Sequence, residues 1–169
     1  MNIFFLHMIP SICAQLHCDK HVVKMILETC QMLCSAWHIT DPEHKIYEPC
    51  YKLAHKNHPC SIWVRSSVDN YKWLCELGLE LCKEYTYRYG KTHKSEEYIK
   101  DLALNIPPIP DIGFTPPAQA MPDMYKDKDA ISAYHHYYFF EKERMHSWKG
   151  KIAGRDVPEF ITEFKNMFE

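Results

Sequence analysis

A chain of 169 residues with 14% aromatics, 5 glycines and a formal charge of -2 is sized for one domain with a full core. Scarce glycine and few alternating β-branched runs exclude a sandwich or barrel, and no window has the apolar length of a membrane span. The balanced charge excludes a surface that grips phosphate throughout, and Met1–Ile9 lacks the basic start and cleavage site of a secretory signal, so the expectation is a soluble, non-secreted protein with no membrane partner.

Asn2–Met8 reads as a short strand or a buried extended arm. Pro10-Ser11 opens a helical pattern to about His38, with a break at Asp19. Within it His17, His21, Lys24 and Glu28 recur at four, three and four residues and share one face, opposite Val22, Val23, Ile26, Cys30, Leu33 and Trp37. Two imidazoles, an ammonium and a carboxylate in one stripe suit metal binding, proton transfer or anion binding. A solvated face with a Lys24–Glu28 ion pair is the plain alternative.

Ile39–Asn57, with Pro42 and Pro49, reads as loop. His55 and His58 stand at the entry to the next helix, where anions bind and where His58 or Asn57 equally serves as a cap. That helix runs from Pro59 to about Tyr89 and is closed by Gly90; at about 45 Å it has room for a bend. Arg88, Lys91 and His93, beside Lys94, form a candidate phosphate clamp at its end, although cations there also suit the helix dipole.

Ser95–Leu104 reads as a short helix capped by Ser95. The prolines of Asn105–Asp123 forbid a continuous helix or central strand. This stretch reads as a strap anchored by Ile106, Ile109, Ile112 and Phe114, with Gln119–Asp123 as a functional tip. Asp127 is placed to cap a last major helix to about Lys149. On it His135 and His136, with Tyr134, Tyr137 and Tyr138, either stack a base or build core. Val157–Glu169 completes the chain as a short amphipathic helix. The expected fold is mainly α: residues 1–169 as a single compact helical domain with a long proline-rich loop.

Cys13, Cys18, Cys30, Cys34, Cys75 and Cys82 fall within helical patterns and no Cys-x-x-Cys pair occurs, so reduced thiols are expected. Cys30 and Cys34, one turn apart, have the spacing to join a metal site.

The strings Asp19-Lys20-His21-Val22-Val23-Lys24-Met25, Asn57-His58-Pro59-Cys60, Glu84–Lys91 and Ala120-Met121-Pro122-Asp123 resemble those of small proteins of large DNA phages and giant viruses, which implies an infected host cell, cytoplasm or nucleus, as the setting. Asp19, Lys20, His21 and Glu28 also match the pattern in the first helix of the phage pyrimidine-dimer DNA glycosylases: Asp, a polar residue, His, then Glu seven residues after the His. The helix after Pro59, ending in Arg88-Tyr89-Gly90, is similar to their second helix. The aromatic and basic end of Asp127–Lys151 is similar to their C-terminus.

That resemblance implies an all-helical enzyme in which the N-terminal α-amine attacks the sugar C1′ and forms an imine, while the glutamate manages protons and charge. An α-amine ordinarily titrates near about pH 8, so a useful fraction is nucleophilic at neutrality. Transferred to this chain it names Glu28, His21 and Met1 as catalytic, with Met1 retained because Asn2 is bulky. His17, Lys20, Lys24, His58, Arg88, Lys91 and His93 are the candidate substrate and phosphate ligands, DNA or a nucleotide the partner, and no cofactor or metal is called for. Where that family carries arginines, this chain has Ile3, Leu27 and Gln31.

Two alternatives stand beside this reading. One is a divalent-metal enzyme of nucleotide metabolism, with His17 and His21 one turn apart and Glu28, or a carboxylate from the Glu76, Glu80 and Glu84 stripe, completing the site. The other is a non-catalytic viral interaction protein using its aromatic surface.

Overall fold

The computed structural model describes residues 1–169 as seven α-helices without a strand. They are α1 (Pro10–Leu16), α2 (Asp19–Thr40), α3 (Pro59–Val64), α4 (Val68–Tyr89), α5 (Glu96–Leu104), α6 (Ala130–Glu141) and α7 (Glu159–Phe168). The long helices α2 and α4 pack along each other, and α1, α3 and α5 pack against the pair. A Cβ on Gly78 of α4 would lie 3.0 Å from Thr29 Cγ2 of α2 and 3.2 Å from Ile99 Cγ2 of α5, so only glycine lets the three helices approach this closely.

Each long helical pattern is divided where a remote partner claims the backbone. The first breaks at His17-Cys18, both extended. There the Cys18 amide donates to the Tyr138 hydroxyl at 2.9 Å, and Asp19 N–H to the Ser147 carbonyl at 2.7 Å. The second does not bend but stops at Val64 and restarts at Val68. Extended Ser67 donates its hydroxyl to the Gly113 carbonyl, and Val68 N–H donates to Pro110 O at 2.9 Å. The proline-rich segment thereby supplies acceptors that a continuous helix would have left unused.

That segment is a strap. Phe114 packs edge-on to Trp63 at 5.5 Å, and Ile106 and Ile109 lie against the core, whereas Ile112 is exposed and anchors nothing. Gln119–Asp123 is not a free tip: Gln119 pairs through its side chain with the Asp127 backbone in both directions, and Met121 is buried. All four tryptophans donate their indole N–H to a backbone carbonyl: Trp37 to Asn105, Trp63 to Thr115, Trp73 to Met8 and Trp148 to Leu16. The core is thus stitched to strap, arm and α1 by the polar edge of its largest rings.

The last major helix is shorter than its pattern predicts. Asp129, not Asp127, caps α6 by accepting from Ile131 N–H, and α6 ends at Glu141. A 3-10 turn at Glu143–Met145 and an irregular run with Gly150 at φ 62° follow. Gly150 N–H and Ser147 Oγ both donate to Asp19 Oδ2, which pulls this run onto the α1–α2 break. All eight cysteines are free.

Candidate active site

The arm Asn2–Leu6 is extended and buried beneath α2 and α6 without joining a sheet. Its anchor is Asn2. The amide Nδ2 donates to Ala120 O at 2.9 Å, while Oδ1 accepts from Ile3 N–H at 2.8 Å and meets the Tyr134 hydroxyl at 2.9 Å and the Cys60 thiol at 3.5 Å. Strap, α3 and α6 therefore all hold one side chain, and the residue before it has little freedom of position.

That placement sets the α-amine of Met1 3.1 Å from Glu28 Oε1, with the Met1 side chain 3% and the carboxylate side chain 12% exposed. Lys24 Nζ, one turn earlier on α2, lies 3.8 Å from Oε2, which is buried and has no hydrogen-bond partner. Two hollows, of about 250 Å³ and about 410 Å³, flank this group and share Met1, Lys24 and Glu28 as their common wall. In the larger, Val23, Leu27, Gln31 and His55 complete the lining. His58 caps α3 by accepting from Cys60 N–H at 3.1 Å. Burial, and then the Met1 amine, hold its imidazole below the ordinary range.

In the smaller hollow His21 is stacked on Phe4 at 4.5 Å, with Nδ1 2.7 Å from the Tyr138 hydroxyl. That hydroxyl already accepts the Cys18 amide, so its proton is free to go to Nδ1. Burial, reinforced by His17, Lys142 and Lys24, pushes the His21 pKa down to about 3. The ring is accordingly neutral with its proton on Nε2: a hydrogen-bond donor, not a base, at neutral pH.

The site-facing stripe of α2 is His21, Lys24 and Glu28 without His17. His17 belongs to the break before α2, is buried, and places Nδ1 2.7 Å from Cys13 O; burial pushes its pKa down to about 4. Arg88 is likewise no phosphate ligand. It is fully buried, with Nε on Glu84 at 3.0 Å, Nη1 on Asp19 at 3.0 Å and on His17 O at 2.8 Å, and Nη2 on Gln15 O at 2.9 Å. Glu84 is also bound by Arg155 at 2.6 Å, which removes it from any acidic stripe with Glu76 and Glu80.

Lys20 and Lys91 are exposed and line neither hollow, while His93 packs edge-on to Tyr85 at 5.1 Å and accepts from Ser95 N–H. The metal set His17, His21 and Glu28 does not converge; the sole group of three candidate ligands in the chain is elsewhere. His135 and His136 are half-buried and stack on Phe160 and Phe164 of α7 at 3.9 and 4.7 Å, so one face of each ring is taken by α7 rather than offered to a base.

Three groups at the hollow lie outside the sequence-based site. Tyr137, Lys142 and Arg144, from the end of α6 and the turn after it, line the hollow with Phe4 and His21. Lys142 Nζ stands 5.2 Å from the Tyr137 ring centroid and 5.9 Å from that of Phe4. With Lys24 they give the carboxylate a local cationic rim in a chain whose net charge is -2.

No curated protein and no solved structure matches the chain. A family model described as pyrimidine dimer DNA glycosylase matches residues 1–97, over half of the sequence. The matched stretch holds the arm, the whole of α2 and His58, and therefore the amine, the carboxylate, His21 and Lys24. No helix is long and apolar enough to cross a membrane. By the extent of this match, the chain belongs to the pyrimidine dimer DNA glycosylase family.

Proposed function

We propose that the protein cleaves the N-glycosidic bond of a damaged or modified nucleotide in DNA, with the Met1 α-amine as nucleophile and Glu28 as proton carrier. The observation that carries this reading is the amine–carboxylate pair at 3.1 Å, which lies in the common wall of two open hollows. Such a pair brings together a nucleophile, a base and a counter-charge in direct contact.

The deprotonated amine adds its lone pair to C1′ as the C1′–N bond breaks, and the bonding electrons leave with the base, which takes up a proton. Glu28 accepts the proton shed by the attacking nitrogen. Returning it to O4′ opens the sugar and leaves an iminium whose positive charge lies beside the regenerated carboxylate. Water then releases the sugar; loss of a C2′ proton instead expels the 3′ phosphate, which is the lyase outcome. His21 offers its Nε2–H to a substrate oxygen, and Lys24, Lys142 and Arg144 meet phosphates. Leu27 and Gln31 line the second hollow without charge, so the cations come from the α6 end instead.

Borohydride reduction during turnover on duplex DNA with an abasic site or a modified base tests this. The expected product is a covalent adduct whose proteolytic peptide carries the sugar on the Met1 nitrogen, and which acetylation of that amine abolishes. Absence of the adduct together with undiminished base release after acetylation would overturn the amine as nucleophile in favour of direct attack by water.

A further inference from the structure

Cys30 and Cys34 lie on successive turns of α2, and Cys50 lies in the loop that leads from α2 to α3. Their three Sγ atoms all fall within 4.8 Å of one another, and Cys34 Sγ is 3.7 Å from Cys50 Sγ. Cys30 and Cys34 are buried and Cys50 is exposed, so the triangle has one open side. Other thiols in this protein are employed differently: Cys13 donates to Phe4 O at 3.2 Å and Cys60 to Asn2 Oδ1 at 3.5 Å.

We propose that Cys30, Cys34 and Cys50 form a thiolate site for zinc(II) that fastens the 41–58 loop to α2. Zinc–sulfur bonds of about 2.3 Å arranged tetrahedrally set sulfur atoms about 3.8 Å apart, close to the observed Cys34–Cys50 spacing. A disulfide would join two of the three sulfurs and leave the third without purpose, whereas one cation uses all three. The open side at Cys50 leaves the fourth position to water.

The rest of the seam is already prepared for closure. Asp41 accepts from the Lys45, Ile46 and Tyr47 amides, His38 Nε2 lies 2.7 Å from Tyr51 O, and Ser35 Oγ and Ala54 exchange hydrogen bonds at 3.0 and 3.1 Å. Between these ties sits the thiol triangle, and beyond them the same loop delivers His55 and His58 to the neighbourhood of the amine. Zinc binding therefore stiffens the segment that walls one side of the amine, while taking no part in bond cleavage.

The test uses the full-length protein prepared with reductant and zinc, with bound metal measured after exhaustive dialysis, and with cobalt(II) as a spectroscopic probe. Stoichiometric zinc, a thiolate-to-cobalt charge-transfer band and tetrahedral d–d bands are expected, together with a zinc-dependent rise in Tm. Cys50→Ser, a change at an exposed position, should retain the helical circular dichroism spectrum and lose the bound zinc, the cobalt bands and the Tm response. Sub-stoichiometric zinc in the wild type, a cobalt spectrum unchanged by Cys50→Ser, or a native Cys34–Cys50 disulfide found by non-reducing mass spectrometry would each overturn the proposal.

Discussion

The Tyr134 hydroxyl of α6 lies 2.9 Å from Oδ1 of Asn2, across 132 positions of sequence, and so the penultimate α-helix holds the first residues of the chain. Asn2→Leu keeps the volume and is bulky enough to retain Met1, but leaves Ala120 O and the Ile3 amide without their side-chain partner, while the Tyr134 hydroxyl keeps Ala118 O. We expect a stability loss of about 1–3 kcal/mol by denaturant titration and a larger proportional fall in kcat than in substrate affinity. An unchanged kcat would show that the amine is positioned by something else.

Glu28→Gln preserves shape and removes the proton carrier. Base release should slow by at least about a hundredfold under single-turnover conditions, with the folded state retained. Near-normal single-turnover rates in the variant would end the role assigned to this carboxylate.

Lys142 and Arg144 should act through charge alone. Replacing both by Ala is expected to weaken DNA binding at low salt and to reduce the slope of log K against log salt by about 2, close to one counterion per lost phosphate contact. An identical slope in fluorescence anisotropy titrations would remove them from the DNA interface.

Acid should destabilise the fold before it reaches the carboxylates. His17 and His21 have pKa values pushed down by burial to about 4 and about 3, whereas an unfolded histidine titrates near about 6.5. Below about 6.5 the unfolded chain takes up protons that the folded chain refuses. The stability due to these groups is therefore complete above that pH and declines as pH falls toward 4 and then 3. Tm measured from pH 7.5 downward should fall across this window, and less steeply in His17→Gln; a flat profile would contradict the neutral burial of both rings.

Arg88→Met removes a buried guanidinium shared by two carboxylates, leaving Asp19 without its cation and Glu84 with Arg155 alone. The expected cost is about 3–5 kcal/mol, which for a chain of this size lowers Tm by roughly 6–20 °C. A loss below about 1 kcal/mol in calorimetry would mean that Arg155 alone compensates Glu84.

Helical class, the buried arm, the proline-rich strap and the shared face of His21, Lys24 and Glu28 were legible because they rest on local periodicity or on fixed spacing along one helix, whereas the Met1 amine entered only through the family resemblance. What the sequence concealed depends on partners far along the chain. His17 has the right spacing to join His21, but it lies outside α2, because the Cys18 amide and the Asp19 amide are claimed by Tyr138 and Ser147. Arg88 reads as a surface cation until Asp19 and the Gln15 and His17 carbonyls close around it from more than 60 positions away. Lys142 and Arg144 carry no periodic signal at all, since they sit where α6 gives way to a 3-10 turn.

Gly78 bears on the chemistry although it touches neither reactant. A Cβ there would meet the side chains of Ile99 and of Thr29, the residue after Glu28, so the close approach of α4 to α2 falls one residue from the carboxylate. The arm holds the nitrogen, and the depth to which α2 seats on α4 bears on the oxygen. A single methyl group at position 78 would make the Thr29 and Ile99 side chains give by a few tenths of an ångström, and the seating of the helix that carries the proton acceptor is thereby gauged by an atom that is missing.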